Sequence, residues 1–249
     1  MKNRNILEVH KLSKTFVGKN EKTNVLDNIS FDVNAGEILC IVGTSGCGKS
    51  TLLNIISGLD NNYEGNIKYN FDKEKIGYML QDSALFPWLS IFNNANLACK
   101  IKDINNENYI NYLLQRYGLN DFKNKYPDKI SGGMKQRVAL IRTISFKPEL
   151  LLLDEPFAAL DYQTRLSISK DVYELIKENN ITAIIITHDI SEAISLADRV
   201  IVLSKRPSHI KNMYEIKLNN KKDPISNRSD NKFPYYYELI GKDLDVFNE

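Results

Sequence analysis

Three cysteines in 249 residues, no long apolar run and no block of one charge are what this chain conspicuously lacks or holds little of. Cys40, Cys47 and Cys99 cannot form a disulfide framework, so a reducing compartment is expected. The N-terminal stretch MKNRNILEVHKL carries basic residues with no apolar segment behind them, which argues against a secretory signal. No stretch approaches the roughly 18 apolar residues of a membrane span. The longest apolar runs, GEILCIV and ITAIIIT, are strand-sized, so a soluble or peripheral protein, cytosolic by default, is expected. Net charge is +2, and no basic run points to nucleic acid; Lys221 and Lys222 read as a solvated loop. Repeats and coiled-coil heptads are also missing.

What is present is ordinary globular composition, 43% hydrophobic and 26% charged, and a length that supports one large α/β domain, or one domain with a modest insertion and tail. Strand-like runs fall at Ile6–Val9, Ile29–Val33, Ile38–Val42, Ile76–Leu80, Leu150–Leu153, Ile181–Thr187 and Val200–Leu203. Several are continuously apolar, as strands buried on both faces are. Helix-length segments lie between them at Lys49–Ser57, Gly132–Ser145, Thr164–Glu178 and Ser191–Leu196, an interleaving that predicts a mostly parallel sheet. Residues 91–130 are Asn-rich, with periodic Tyr109, Tyr112, Leu113 and Tyr117, and predict an inserted helical subdomain. From about Ser204 turn residues and charge dominate; a strand near Met213–Leu218 and a short helix in FPYYYELIGKDL are expected there.

Gly43–Ser50 reads GTSGCGKS, directly after the strand ILCIV and at the start of a helix, the context a phosphate-binding loop requires. Glycines let the backbone wrap phosphates without a Cβ clash, and the helix N-terminus supplies free N–H groups and positive dipole. Lys49 would bridge the β- and γ-phosphates, Ser50 would offer a hydroxyl to Mg²⁺, and Thr51 would support the α-phosphate. Cys47 reads as a small residue that fits rather than a redox group, although an alkylating reagent there should block ATP. At Leu150–Pro156 a buried apolar strand ends in two acids, where an open α/β sheet places its ligands. Asp154 would hold Mg²⁺, and Glu155 could accept a proton from an attacking water. His188, after ITAIIIT, and Gln81, after IGYML, end two further strands with polar side chains that could reach the γ-phosphate, the cation and the water. A second anion cradle, Ser131, Gly132 and Gly133 in KISGGMKQRV, opens another helix.

Together these motifs resemble the ATP-binding cassette of ABC transporters, in that family's order over about residues 5–205. They are an A-loop aromatic (Phe16), Walker A (Gly43, Thr44, Ser45, Gly46, Cys47, Gly48, Lys49, Ser50, Thr51), Q-loop (Gln81), signature (Ser131–Gly133), Walker B (Leu150–Asp154, with Glu155), D-loop (Ala158–Asp161) and switch histidine (His188). The resemblance implies a P-loop NTPase (RecA-like) core with a mostly parallel sheet, an antiparallel β subdomain and an inserted helical subdomain. The corresponding domains are 1–90 with 150–205 for the core, 91–149 for the helical signature subdomain and 206–249 for a short C-terminal extension. It implies ATP and Mg²⁺ as cofactors, with Ser50, Gln81 and Asp154 at the metal and Glu155, His188, Lys49 and Gln81 catalytic. It further implies a head-to-tail homodimer in which Ser131, Gly132, Gly133 and Asp161 serve the partner's ATP. Ile130 replaces the usual signature leucine, Met134 the usual glutamine, and Ala158 the common D-loop serine; none of these removes a catalytic group.

With no membrane span of its own, such a subunit works beneath two separate permease subunits, docking near Gln81 and Trp88 on the cytoplasmic face of the membrane. A periplasmic or lipid-anchored solute-binding protein is implied indirectly, and nucleic acid is not expected. The segment LFPWLSIFNNANL and the chain's end resemble nitrate, sulfonate and taurine importers. A thiamine-precursor pyrimidine importer has a similar cassette, and a soluble non-transport ABC ATPase is the alternative of a different class.

Overall fold

Strands with no polar interruption need apolar neighbours on both faces, and that demand organises this molecule. The computed structural model describes residues 4–18, 21–158, 160–219 and 221–246; the ends of the expected domains (1–3 and 247–249) and Ala159 of the D-loop stretch lie outside them. The elements in order are β1 (Asn5–Val17), β2 (Lys22–Asn34), β3 (Ile38–Val42), α1 (Lys49–Ser57), β4 (Glu64–Tyr69), β5 (Ile76–Met79), α2 (Ile91–Ile101), α3 (Glu107–Arg116), α4 (Gly132–Ile144), β6 (Leu150–Asp154), α5 (Tyr162–Glu178), β7 (Thr182–Thr187), α6 (Ile190–Leu196), β8 (Arg199–Leu203), β9 (Ile210–Glu215), α7 (Pro224–Asn227) and α8 (Phe233–Asp243).

Six strands form one sheet in the order β5-β6-β7-β3-β8-β9, parallel except for the antiparallel edge strand β9. Every residue of β3, β6 and β7 is buried. Alternate side chains enter two cores: Cys40, Leu151, Leu153, Ala183 and Ile185 face the helices, while Leu39, Ile41, Leu150, Leu152, Ile184 and Ile186 face α1 and the β1–β2 side. Each buried aliphatic side chain contributes ~1.5–3 kcal/mol, so these strands hold the sheet by burial on both faces.

A second sheet, β2-β1-β4, is wholly antiparallel. Its strands β1 and β2 are 13 residues each, longer than their apolar stretches predict, because register shifts between Val9 and Lys14 let the pairing continue past breaks in the alternation. Strand β4 has no sequence signal: Ile67 is its one buried residue, and pairing with β1 makes it a strand.

Helices α2 and α3 lie between β5 and β6 in the chain and pack on α4. The tail is docked rather than loose. Strand β9 pairs with β8, three residues earlier than the expected Met213–Leu218. Helix α8 packs on α6 with Ile240 fully buried. The expectation of a solvated Lys221 is corrected: it is part-buried and donates to Ala197 O and Asp198 Oδ1, both at 2.6 Å. Among the described residues no helix is long and apolar enough to cross a membrane.

Candidate nucleotide site

The loop between β3 and α1 turns on Gly48, whose φ of 114° is in the left-handed region. A Cβ there would lie 2.8 Å from Val25 Cγ1 and 2.9 Å from Leu26 Cδ2, so the loop packs on β2 only because Gly48 has no side chain. Lys49 is buried at the first turn of α1, and its Nζ donates to Gly43 O (2.9 Å) and Thr44 O (3.1 Å). Ser45, Gly46, Gly48, Lys49, Ser50 and Thr51 line a cavity of about 250 Å³ that Gln81, Glu155 and Arg206 complete. Gly43, Thr44 and Cys47 belong to the loop but not to the lining of the cavity. The Cys47 side chain is buried in the core, which corrects the expectation that an alkylating reagent reaches it; its contribution to a phosphate would come from its backbone. Phe16 stands apart on β1, half exposed, with Lys14 Nζ 4.7 Å from its ring centroid.

Two strand ends reach this cavity and a third stands beside it, against Glu155. Gln81 follows β5, Glu155 follows β6 and His188 follows β7. Glu155 Oε2 accepts from Gln81 Nε2 at 3.3 Å and lies 3.2 Å from His188 Nδ1. Glu155 holds a φ of 44°, a costly conformation for a residue with a Cβ, and such strain concentrates at functional sites; its N–H is fixed by Ile186 O at 3.0 Å. One residue earlier, Asp154 is 5% exposed and its Oδ1 has no hydrogen-bond partner. Burial pushes its carboxyl above the ordinary range, partly countered by the Ser50 hydroxyl. An orphaned carboxylate oxygen beside a hydroxyl and near an amide is an all-oxygen donor set, which fits a hard divalent cation completed by phosphate oxygens. No cluster of three or more His, Cys, Asp or Glu able to hold a metal exists among the described residues, so a cation here would depend on its ligand.

The second cradle does not share this cavity. Gly132 lines a separate one of about 370 Å³ with Lys135, Gln136 and Leu160, and Gln81 borders both. Ser131 caps α4, its Oγ accepting from Met134 N at 3.3 Å. A Cβ on Gly133 would meet Thr164 Cγ2 at 2.7 Å, whereas one on Gly132 would meet nothing within 4 Å; Gly133 therefore seats α4 against α5, and Gly132 faces open space. Asp161 caps α5 by accepting from Thr164 N at 3.0 Å. Ile130 and Met134 both pack partly buried against the core.

Several groups here carry no local sequence signal. Gln136, buried on α4, donates to Pro156 O at 2.9 Å and ties the signature helix to the turn after Glu155. Arg142 donates to Ser83 O and Ala84 O, both at 2.8 Å, and holds the segment after Gln81. Arg165 donates to Leu160 O at 3.1 Å and pairs with Asp189 (3.6 Å) and Glu192 (3.7 Å), linking the D-loop stretch to the turn that carries His188. Asn94, fully buried, accepts from Phe86 N and donates to Phe86 O, Leu89 O and Ser90 O. It builds the LFPWLS loop around itself, so that Leu85 packs on the core while Trp88 is left 70% exposed against Phe86.

A phosphate loop between a buried parallel strand and a helix, with acids and amides delivered by adjacent strand ends, defines a P-loop nucleotide-binding protein. Comparison with known proteins narrows this. A family model described as ABC transporter matches residues 26–158. An uncharacterized ABC transporter ATP-binding protein, YtlC of Bacillus subtilis, is 41% identical over 96% of this chain and 95% of its own. The aliphatic sulfonates import ATP-binding protein SsuB of Bacillus cereus is 38% identical over 85% of this chain and 86% of its own. The nitrate import ATP-binding protein NrtD of Synechocystis is 38% identical over 90% of this chain and 87% of its own. The dimeric post-hydrolysis structure of the ATP-binding cassette MJ0796 bound to ADP and Pi superimposes with a TM-score of 0.75 at 29% identity, covering 85% of this chain and 99% of that one. The chain belongs to the ABC transporter family, as an ATP-binding subunit. Subunits of this class are ATP hydrolases that drive transport.

Proposed function

We propose that this chain is the ATP-hydrolysing subunit of an importer for a small oxyanionic solute of the sulfonate, nitrate or taurine type. The observation that carries the ATPase reading is the meeting of Gln81, Glu155 and His188 at the mouth of the P-loop cavity. In this reading the loop N–H groups and Lys49 hold the β- and γ-phosphates, and Phe16 meets the base. Ser50, Gln81 and Asp154 are the residues that would hold Mg²⁺, whose charge would offset that developing on the phosphates. Glu155 accepts the proton of the attacking water. His188, beside the Glu155 carboxylate, orients the γ-phosphate and registers its loss.

Ser131, Gly132 and Gly133, with Asp161, serve the ATP of a second copy. The open space in front of Gly132 and its separation from the chain's own P-loop cavity support this assignment. ATP then joins two protomers, and loss of its γ-phosphate loosens them, which is the differential affinity a conformational cycle requires. We assign residues 1–90 and 150–205 to the nucleotide-binding core, 91–149 to the signature subdomain and 206–249 to the extension. Two permease subunits dock on the cytoplasmic face of the membrane at a cleft of about 360 Å³ lined by Phe86, Leu97, Ile101, Arg142 and Phe146, with Trp88 on its rim. A solute-binding protein acts through that permease. The names of the sulfonate and nitrate import relatives support the solute class.

The test is the oligomeric state of Glu155→Gln by size exclusion with light scattering. With ATP and Mg²⁺ a stable dimer is expected, and with ADP a monomer. A variant that stays monomeric while saturated with ATP would reject the shared-site mechanism.

A further inference from the structure

The P-loop cavity contains a cation that the motifs do not explain. Arg206 lies in the turn between β8 and β9 and is one of the residues lining the phosphate cavity, 160 positions from the loop it touches. Its Nη2 donates to Gly46 O at 2.5 Å. That turn is bolted to the loop and to β2. Ser208, fully buried, donates through Oγ to Cys47 O, while Ser208 N donates to Val25 O (2.9 Å) and Ser208 O accepts from Asp27 N (2.8 Å). Ser204 and His209 close the turn, with Ser204 N on His209 O and His209 N on Ser204 Oγ, both at 3.0 Å. The backbone of Arg206 is therefore held against the P-loop by its neighbours, and its guanidinium is not needed to attach the turn.

We propose that Arg206 is a nucleotide-binding residue that contacts the phosphate chain from beside Gly46 of the loop. The inference rests on the ATPase reading above. Among the residues lining the cavity, Lys49 and Arg206 are the cations and Glu155 is the acid. Lys49 is buried within the loop, whereas Arg206 is exposed, so Arg206 is the cation that an incoming polyanion can meet from solution in addition to Lys49. A guanidinium has five donors in a planar fork, and a single one meets Gly46 O; the others match phosphate oxygens. Lying at the mouth, it also attracts the anion from solution, an effect that salt screens.

Calorimetric titration of Mg·ADP into wild type, Arg206→Gln and Arg206→Lys, at concentrations where light scattering finds monomers, tests this. Glutamine keeps an N–H donor for Gly46 O and loses the charge. Affinity about tenfold weaker in Arg206→Gln is expected, the scale of one partly exposed charge-assisted contact. The nucleotide-free melting temperature should be unchanged, the deficit should narrow as KCl is raised, and the lysine variant should fall between the two. Equal affinities for wild type and Arg206→Gln would overturn the proposal. A loss that comes with a lowered nucleotide-free melting temperature and ignores salt would also overturn it, reducing Arg206 to a buttress of the loop. A lysine variant as weak as the glutamine one would remove the role of charge. Wild type that fails to bind Mg·ADP would defeat the ATPase reading itself and this inference with it.

Discussion

Asp154 and Glu155 are adjacent in the chain and differ in every physical respect that matters. Asp154 ends a buried strand with one oxygen unpartnered, whereas Glu155, turned outward by its positive φ, meets Gln81 and His188. Burial raises the Asp154 carboxyl above its unfolded value. For a group raised in this way the neutral form is the better tolerated one inside the fold, so the cost appears as pH rises through the folded value. Asp154→Asn is therefore expected to raise the nucleotide-free melting temperature at pH 7 while abolishing ATP turnover. The gain over wild type should shrink as pH falls toward ~4, the ordinary carboxylate range, because the folded wild-type side chain takes up its proton above that range. Calorimetric scans across that range with a phosphate-release assay check both halves; a variant less stable than wild type at pH 7 would contradict the reading of Asp154 as an acid whose burial is only partly compensated.

At the scale of elements, the informative feature is a loop that behaves as a rigid one. The segment Leu85–Ser90 has no regular ladder, yet Asn94 on α2 satisfies its backbone from within. That leaves Phe86 and Trp88 exposed, Phe86 lining an apolar cleft and Trp88 packed against it, at a position where exposed aromatics need an explanation. Asn94→Ala would take from Phe86 N and Leu89 O the partner that the asparagine gives them, while Phe86 O keeps Leu89 N and Ser90 O keeps Asn94 N; it is expected to cost about 1–3 kcal/mol, with a change in the fluorescence of Trp88, the single tryptophan. Denaturant titration measures the first and emission spectra the second. Little of this loop was legible beforehand: the run LFPWL reads equally as core or as groove, and a buried asparagine looks in sequence like any other in an Asn-rich stretch. Helices α1, α4, α5 and α6, by contrast, lie within two residues of expectation, because glycine or a capping Ser or Asp marks each start.

The whole molecule is arranged so that one end of a six-stranded sheet gathers chemistry from distant parts of the chain. Strand ends at Gln81, Glu155 and His188 become neighbours because β5, β6 and β7 are adjacent and parallel. The extension also belongs to this construction. Helix α8 buries Ile240 against the helical side of the sheet, and Tyr214 and Asn212 of β9 both donate to Asp243 Oδ2. Ile240→Ala is expected to destabilise the whole chain by about 2–4 kcal/mol in one cooperative transition. A separate early transition for the tail would show instead that it is an independent appendage.

The P-loop, the acids after LLLL, the signature and the parallel sheet were all readable from residues alone. Each is a local pattern: a glycine spacing, a polar residue directly after a buried apolar strand, a cap at a helix start. Short-range chemistry and burial on both faces determine them whatever the rest of the chain does. Tertiary structure alone decided the strand β4, the loop around Asn94, the Arg165 link from Leu160 to Asp189 and the arrival of Arg206 at Gly46. These depend on contacts between residues tens to well over a hundred positions apart, or on side chains whose partners are backbone atoms. No periodicity or propensity records such contacts: those of β4, Arg165 and Arg206 come into being only when folding brings distant segments together, and the Asn94 loop closes through bonds from one side chain to nearby backbone atoms.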